Sequence, residues 1–296
     1  MTYNQEKLVH RALDSLIGQR DSLYEICIND DCSTDGTFAV LEDYQRRFPG
    51  LVKPVRNEAN LGIFRNIERL WRRPEGDIVY FLAGDDEVGE GWFRTVLDFI
   101  DSHAIDWKHE AFCIYGDFVR VYPDGRSFRF SNSAIMSCKD PLRLAVRGLV
   151  DNRSVCAGIK LYRRFVPVSD GRSYAVEMAQ DRQLQLFADR NYYIPGAVGN
   201  IYHASVGVSV NLSEQKYSER QKIGEYLASF LEGQGRKMKK SDMAYLEYKK
   251  YTHIVSRHPS VGNCCRMLGW YLRSFSLPMF YPGRSFKKLL FILHCI

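Results

Sequence analysis

Eight consecutive residues, Asp30-Asp31-Cys32-Ser33-Thr34-Asp35-Gly36-Thr37, bring three carboxylates and three hydroxyls to one point of the chain. A second acidic pair, Asp85-Asp86, follows another apolar stretch, Asp77 to Leu82. Carboxylates accept the N–H groups of a base or sugar, and one or two of them, with substrate phosphates, make the usual Mg²⁺ set. Two such acidic points in one region suggest a nucleotide held through a metal ion.

The elements that must position these residues are written around them. Tyr24, Ile26 and Ile28 alternate as in a strand, and Phe38, Leu41, Tyr44 and Phe48 then recur at helical spacing. The first acidic run therefore lies at the carboxyl end of a strand, where open α/β sheets bind their ligands. The same reasoning predicts a helix over 5–19, a strand over 24–29 and a helix over 37–48. A short strand follows over 51–55, then a helix over 63–73 and a strand over 78–82. This alternation predicts a mixed, mostly parallel α/β sheet flanked by helices. Beyond residue 100 the pattern changes to a hairpin over 112–130 turning at Pro123-Asp124-Gly125, helices over 140–150 and 174–189, and an extended run over 192–201. From Ser213 onward the chain reads as helical, with a loop near Gly233–Gly235. Boundaries near 102 and 212 divide it into a ligand-binding half (1–102), a second half (103–212) and a helical basic C-terminal region (213–296).

Size and charge bound the answer further. The chain has 296 residues, 45% apolar and 26% charged, enough for a large core. It holds no run of eighteen apolar residues and no signal-peptide pattern at the start. The eight cysteines are scattered, without CxxC pairs or zinc spacing, which fits reduced thiols in a cytoplasmic protein. The net charge of +6 is uneven: residues 248–296 carry eight Lys and Arg and no acid, so the rest sums to −2 by subtraction (6 − 8).

Taken together and in order, these motifs resemble glycosyltransferase family 2, enzymes of GT-A fold that move a sugar from a nucleotide donor. The resemblance rests on Thr2-Tyr3-Asn4-Gln5, on Asn29 to Thr37, on Asn60-Leu61-Gly62 with Arg65-Asn66, and on Phe81-Leu82-Ala83-Gly84-Asp85-Asp86. A weaker match is Gln180-Asp181, followed by Ile194-Pro195 and Tyr202-His203. It covers roughly residues 1 to 210. It implies an inverting transfer from a UDP- or dTDP-sugar to a saccharide or lipid-linked acceptor in surface polysaccharide assembly. Asp30 is then expected to accept from the ring N–H of the base, Tyr3 to stack on it, and Thr2 to touch the same nucleotide. Arg65 is expected at the donor pocket, Asp85 near the ribose or the metal's waters, and Asp86 on a Mg²⁺ or Mn²⁺ ion, with His203 as a further metal or diphosphate contact. Asp181 is the expected general base, with Glu177 as its fallback. The plain alternatives are a capped turn at 30–37, a solvated turn at 85–86 and a helix-start aspartate at 181.

Three departures from the family pattern accompany the match. Ala83 stands where a further aspartate is usual, and Gln180 where a glutamate is usual. Family members also begin with a buried strand ahead of the Thr-Tyr-Asn motif, whereas here Met1 stands where that strand should end. The expectation is a natural product that starts upstream, or a destabilised and poorly active form. These departures also motivate a rival reading, a degenerate nucleotide-sugar-binding or membrane-scaffold protein without transferase activity. An aspartyl-phosphate phosphotransferase would want Asp-x-Asp after a strand, which neither acidic pair provides. The aromatic and basic residues of 264–296 suit a segment lying on an anionic membrane surface, which would place the protein peripherally on the inner face of the cell membrane. No nucleic-acid partner is expected, since the charge lacks a recognised module.

Overall fold

The computed structural model describes residues 1–136, 156–158, 188–204, 231–233, 235 and 237–274. The first elements are α1 (Val9–Ile17), β1 (Ile26–Asp30), α2 (Thr37–Arg47) and β2 (Val52–Arg56), with a 3-10 turn at Arg20–Ser22. Val9, Ala12, Leu13 and Ile17 fall on one face of α1 and are buried. They pack with Ile26, Ile28, Leu41, Tyr44 and Val52 into one core layer. β1 and β2 run parallel, Ile26 opposite Val52 through Asp30 opposite Arg56.

The chain continues through α3 (Ile63–Trp71), β3 (Ile78–Tyr80), β4 (Glu87–Val88) and α4 (Trp92–Ser102). The strands β5 (Phe112–Val121), β6 (Ser127–Phe130), β7 (Cys156–Gly158) and β8 (Arg190–His203) complete a second sheet, with a short helix α5 (Ser133–Met136) after β6. Its order is β3-β7-β5-β8-β4, with β6 paired to β5. β5 and β8 run parallel, while β3–β7, β5–β7, β5–β6 and β4–β8 are antiparallel. Phe112 through Tyr115 have no exposed surface, as expected of a central strand covered on both faces. The hairpin turns at Gly125 (φ 80°), a left-handed position that glycine adopts at little cost. Because β4 pairs with β8, the sheet joins residues on both sides of position 102.

α4 has no counterpart in the sequence expectations. Trp92, Phe93, Val96 and Ile100 bury its inner face against β5. Two further helices, α6 (Lys240–Arg257) and α7 (Val261–Arg273), pack together through Tyr248, Val255, Cys264 and Met267. The Ser260 hydroxyl caps α7 by accepting from the Asn263 N–H. The helix expected over 140–150, residues 174–187 of the one expected over 174–189, and the tail beyond 274 lie outside the described residues; Ala188 and Asp189, the last two positions of that expected helix, are not helical.

Candidate active site

β1 ends at Asp30, Asp31 follows it, and the turn beyond is held by their side chains. Asp30 is wholly buried. Its Oδ1 accepts from the Thr2 hydroxyl at 3.0 Å and from the Ser33 hydroxyl, and its Oδ2 from the Ser33 N–H at 2.9 Å. The Arg56 guanidinium lies 3.8 Å from Oδ2 and donates to the Ser33 carbonyl at 2.6 Å. Cys32 takes a left-handed φ of 61°, uncommon without glycine, and this bend carries the chain toward α2.

Asp31 looks the other way and grips the loop before α3. Its Oδ1 accepts from Asn57 Nδ2 and from the Leu61 N–H, each at 2.8 Å, and its Oδ2 from the Gly62 N–H at 2.9 Å. Asn57 also donates to Asn66 Oδ1, and Asn66 Nδ2 reaches the Asn29 carbonyl. The Asn60-Leu61-Gly62 motif is thus tied to the end of β1, and Arg65 stands exposed on the first turn of α3 just beyond it.

Residues 2–6 zip onto this turn. Asn4 Oδ1 accepts from the Thr34 N–H, the Asn4 and Gln5 N–H groups donate to the Ser33 and Thr37 hydroxyls, and Glu6 accepts from the Gly36 N–H. Thr2 is buried, whereas the Tyr3 ring is 47% exposed and free to present a face.

The second acidic end meets the first across this N-terminal segment. The Gly84 N–H donates to the Met1 carbonyl at 3.1 Å. A Cβ on Gly84 would stand 2.4 Å from Gln5 Oε1 and 2.9 Å from the Met1 carbonyl oxygen, so only glycine fits. Asp85 and Asp86 follow at once, partly exposed. Arg11 of α1 donates to the Asp85 backbone carbonyl at 2.6 Å, and its Nε lies 3.5 Å from Glu87 Oε1. His203, at the end of β8, donates its backbone N–H to Asp86 Oδ1 at 3.3 Å while its ring Nε2 meets Glu87 Oε1 at 2.5 Å. Among the described residues, no cation pairs with the Asp85 or Asp86 side chain. Burial, then the adjacent Asp85 charge, pushes the Asp86 carboxyl up to about 7; the His203 N–H and Arg11 oppose this, and Glu87 adds to it.

Thr2, Tyr3, Asp30 and Asp85 therefore gather around residues 1–5, and His203 stands beside Asp86. Asp181, Glu177 and Gln180 lie outside the described residues. Among those residues no group of three or more His, Cys, Asp or Glu side chains is arranged to hold a metal. The donors at 85–86 are nonetheless hard carboxylate oxygens of uncompensated charge, which suit a divalent cation that takes its remaining ligands from phosphates and water. The His203 ring faces Glu87, and only its backbone touches Asp86. Sequence reasoning missed Arg11, Arg56 and Glu87, because nothing in their local pattern separates them from surface charges.

Residues 1–165, more than half of the chain, match Glycosyl transferase family 2. The chain belongs to this family. An uncharacterized protein of Mycobacterium tuberculosis is 33% identical to it over 87 residues, 29% of this chain and 25% of that protein. The poly(ribitol-phosphate) beta-N-acetylglucosaminyltransferase TarS of Staphylococcus aureus is 32% identical over 108 residues, 36% of this chain and 18% of TarS. The dTDP-rhamnosyl transferase RfbG of Shigella flexneri is 29% identical over 129 residues, 42% of this chain and 43% of RfbG. Each match to these relatives thus spans less than half of the relative's length. In three dimensions this family-2 chain is similar to TarS residues 1–349, with a TM-score of 0.63 at 16% identity over 92% of this chain and 78% of that one. It is also similar to the mannosyltransferase PcManGT of Pyrobaculum calidifontis, solved with GDP-Man and Mn²⁺, with a TM-score of 0.53 at 16% identity over 99% and 83% of the two chains. The fold is GT-A.

Proposed function

We propose that this chain is an inverting glycosyltransferase that moves a sugar from a UDP- or dTDP-sugar to a saccharide or lipid-linked acceptor in surface polysaccharide assembly. The observation that carries the reading is the meeting of the two acidic strand ends across residues 1–5, beside the half-exposed ring of Tyr3. Relatives named for N-acetylglucosamine and dTDP-rhamnose transfer, and for teichoic acid biosynthesis in Bacillus subtilis, support the substrate class.

Tyr3 stacks on the pyrimidine, and the Asp30–Asp31 turn receives the base edge. Asp30, with no exposed surface, acts mainly by holding that turn, and Asp31 Oδ2 has one internal donor, the Gly62 N–H. Arg65 reaches toward the donor from α3. Asp86, with Asp85 beside it, would hold Mg²⁺ or Mn²⁺; once bound, the ion would neutralise charge gathering on the departing diphosphate. His203 orients Asp86 through its backbone and holds Glu87 with its ring. Asp181 takes the proton of the acceptor hydroxyl as that oxygen attacks the anomeric carbon and the nucleoside diphosphate leaves.

Asp86→Ala tests the reading. Donor turnover should be lost while binding of the free nucleoside, measured by calorimetry, persists. A wild-type chain that binds nucleotide-sugar and never turns it over would instead support the rival reading of a binding protein. The basic tail is proposed to rest on anionic lipid. The described part of that region already presents Val261, Cys265, Leu268 and Leu272 on one exposed face of α7.

A further inference from the structure

The hairpin of β5 and β6 carries three arginines, and two of them are already spent. Arg126 pairs with Asp124 at 2.6 Å, and Arg129 with the buried Asp117 at 2.9 Å. Arg120 is partly buried and has neither a carboxylate partner nor a hydrogen bond among the described residues. Its guanidinium lies over the Phe130 ring, 6.0 Å from the centroid. A guanidinium stays charged at any physiological pH and has five donors to satisfy, so this one is poised for an anion from solution.

The strand register fixes its neighbours. Arg120 stands opposite Phe128 of β6 and opposite Tyr202 of β8, and residues paired across strands project from the same face of a sheet. The ring contacts agree: Phe118 stacks on Phe130 at 5.0 Å and meets Tyr202 edge-on at 5.5 Å, and Tyr122 meets Phe128 edge-on at 5.8 Å. Next beyond β8 comes β4, where Glu87 pairs with Ile201. Asp86, one step earlier, therefore comes opposite Tyr202, while Glu87 and the His203 ring that touches it alternate onto the other face. Phe128, Arg120, Tyr202 and Asp86 thus form one row across four strands. At about 4.8 Å between strands, the Arg120 backbone lies roughly 10 Å from that of Asp86, and the Phe128 backbone roughly 14 Å.

The row has the chemistry of a seat for a charged glycan. The Phe128 ring, 50% exposed, offers a flat surface to the apolar C–H face of a sugar ring. An unpaired guanidinium gives a phosphate or carboxylate two parallel hydrogen bonds. A neutral glycan or a lipid tail would leave that charge unmatched. We propose that this row is the acceptor platform, and that the acceptor is an anionic saccharide whose phosphate or carboxylate pairs with Arg120. The inference rests on the transferase reading above and adds to it the charge of the acceptor. The donor's diphosphate carries the same chemistry, so the experiment separates the two sources.

The test is calorimetric binding to the full chain, with poly(ribitol phosphate) and polygalacturonate as anionic glycans, dextran as a neutral one, and UDP with Mn²⁺. The wild type should prefer at least one anionic glycan to dextran by about tenfold or more. Arg120→Gln should abolish that preference and Arg120→Lys keep part of it. Lys108→Gln, which removes an equal charge from an exposed position, should leave it unchanged. Phe128→Ala should weaken all three glycans roughly fivefold. UDP binding and the melting temperature should stay at the wild-type value in every variant. No preference for either anionic glycan, or a preference that survives Arg120→Gln or falls equally with Lys108→Gln, overturns the proposal. Loss of UDP binding in Arg120→Gln with the glycan preference intact assigns the guanidinium to the donor and overturns it as well. No readout involves sugar transfer, so a chain that binds as expected and never turns over donor would sink the enzymatic reading alone.

Discussion

The end of β1 and the turn between β3 and β4 carry the same kind of side chain and treat it in opposite ways. At the first, Asp30 and Asp31 are buried, and each is met by internal donors from residues 26 to 31 positions away, Ser33 aside. At the second, Asp85 and Asp86 are partly exposed and have no cation on their carboxylates among the described residues, because Arg11 is spent on a backbone carbonyl and on Glu87. Saturated carboxylates are architecture: their charge is already satisfied and removing it unmakes a loop. Unsatisfied ones are a standing demand for a partner from solution.

That contrast can be broken in order of size. Asp31→Ala leaves the Asn57 amide and the Leu61 and Gly62 N–H groups without their acceptor, and should cost about 4 kcal/mol in urea unfolding. Asp85→Ala should cost less than about 0.5 kcal/mol in the same measurement. A result in which the two variants are equally destabilised would erase the distinction. Asp86→Ala should lower transfer by roughly a hundredfold or more, about 3 kcal/mol of transition-state stabilisation, without lowering the melting temperature.

The third test uses pH. Asp86 titrates near 7 in the folded metal-free protein and at 3.8 ordinarily, so the folded state holds the proton more tightly. Its contribution to stability is complete below 3.8 and lost as pH rises through about 7. In chelator, Asp86→Asn should therefore be the more stable form at pH 8 by roughly 2 kcal/mol, after allowance for solvent screening, and should match the wild type in acid. Saturating Mn²⁺ should narrow or reverse that order; no effect of the ion on either protein would count against a cation at this end. The smallest expected effect is at Tyr3: replacing its exposed ring by alanine should weaken UDP binding about fivefold, near 1 kcal/mol, with stability unchanged. Truncation after residue 260 should reduce co-sedimentation with anionic vesicles; equal binding would remove the membrane proposal.

Much of the N-terminal half was legible because apolar periodicity and acidic punctuation coincide there. Ile26 and Ile28, then Leu41 and Tyr44, declare a strand and a helix around the residues 30–37. α4 was equally available in principle, since Trp92, Val96 and Ile100 fall four apart. What one-dimensional spacing does not contain is the identity of partners. Asp30 and a base-binding aspartate look alike until Thr2, twenty-eight positions away, is seen donating to it. Arg11 and Arg56 read as surface charge for the same reason: their roles arise from strands and helices brought together by the core. The second half was harder, because β5 is apolar on both faces and its partner β8 lies some seventy residues further on.

The crowding of Met1 and Thr2 against Gly84 has a practical corollary for anyone handling this polypeptide. An affinity tag fused to the amino end does not begin at a loose surface thread; it begins at a nitrogen bonded to the Leu82 carbonyl, inside the body of the molecule. The character of the tag's last few residues therefore becomes part of the fold.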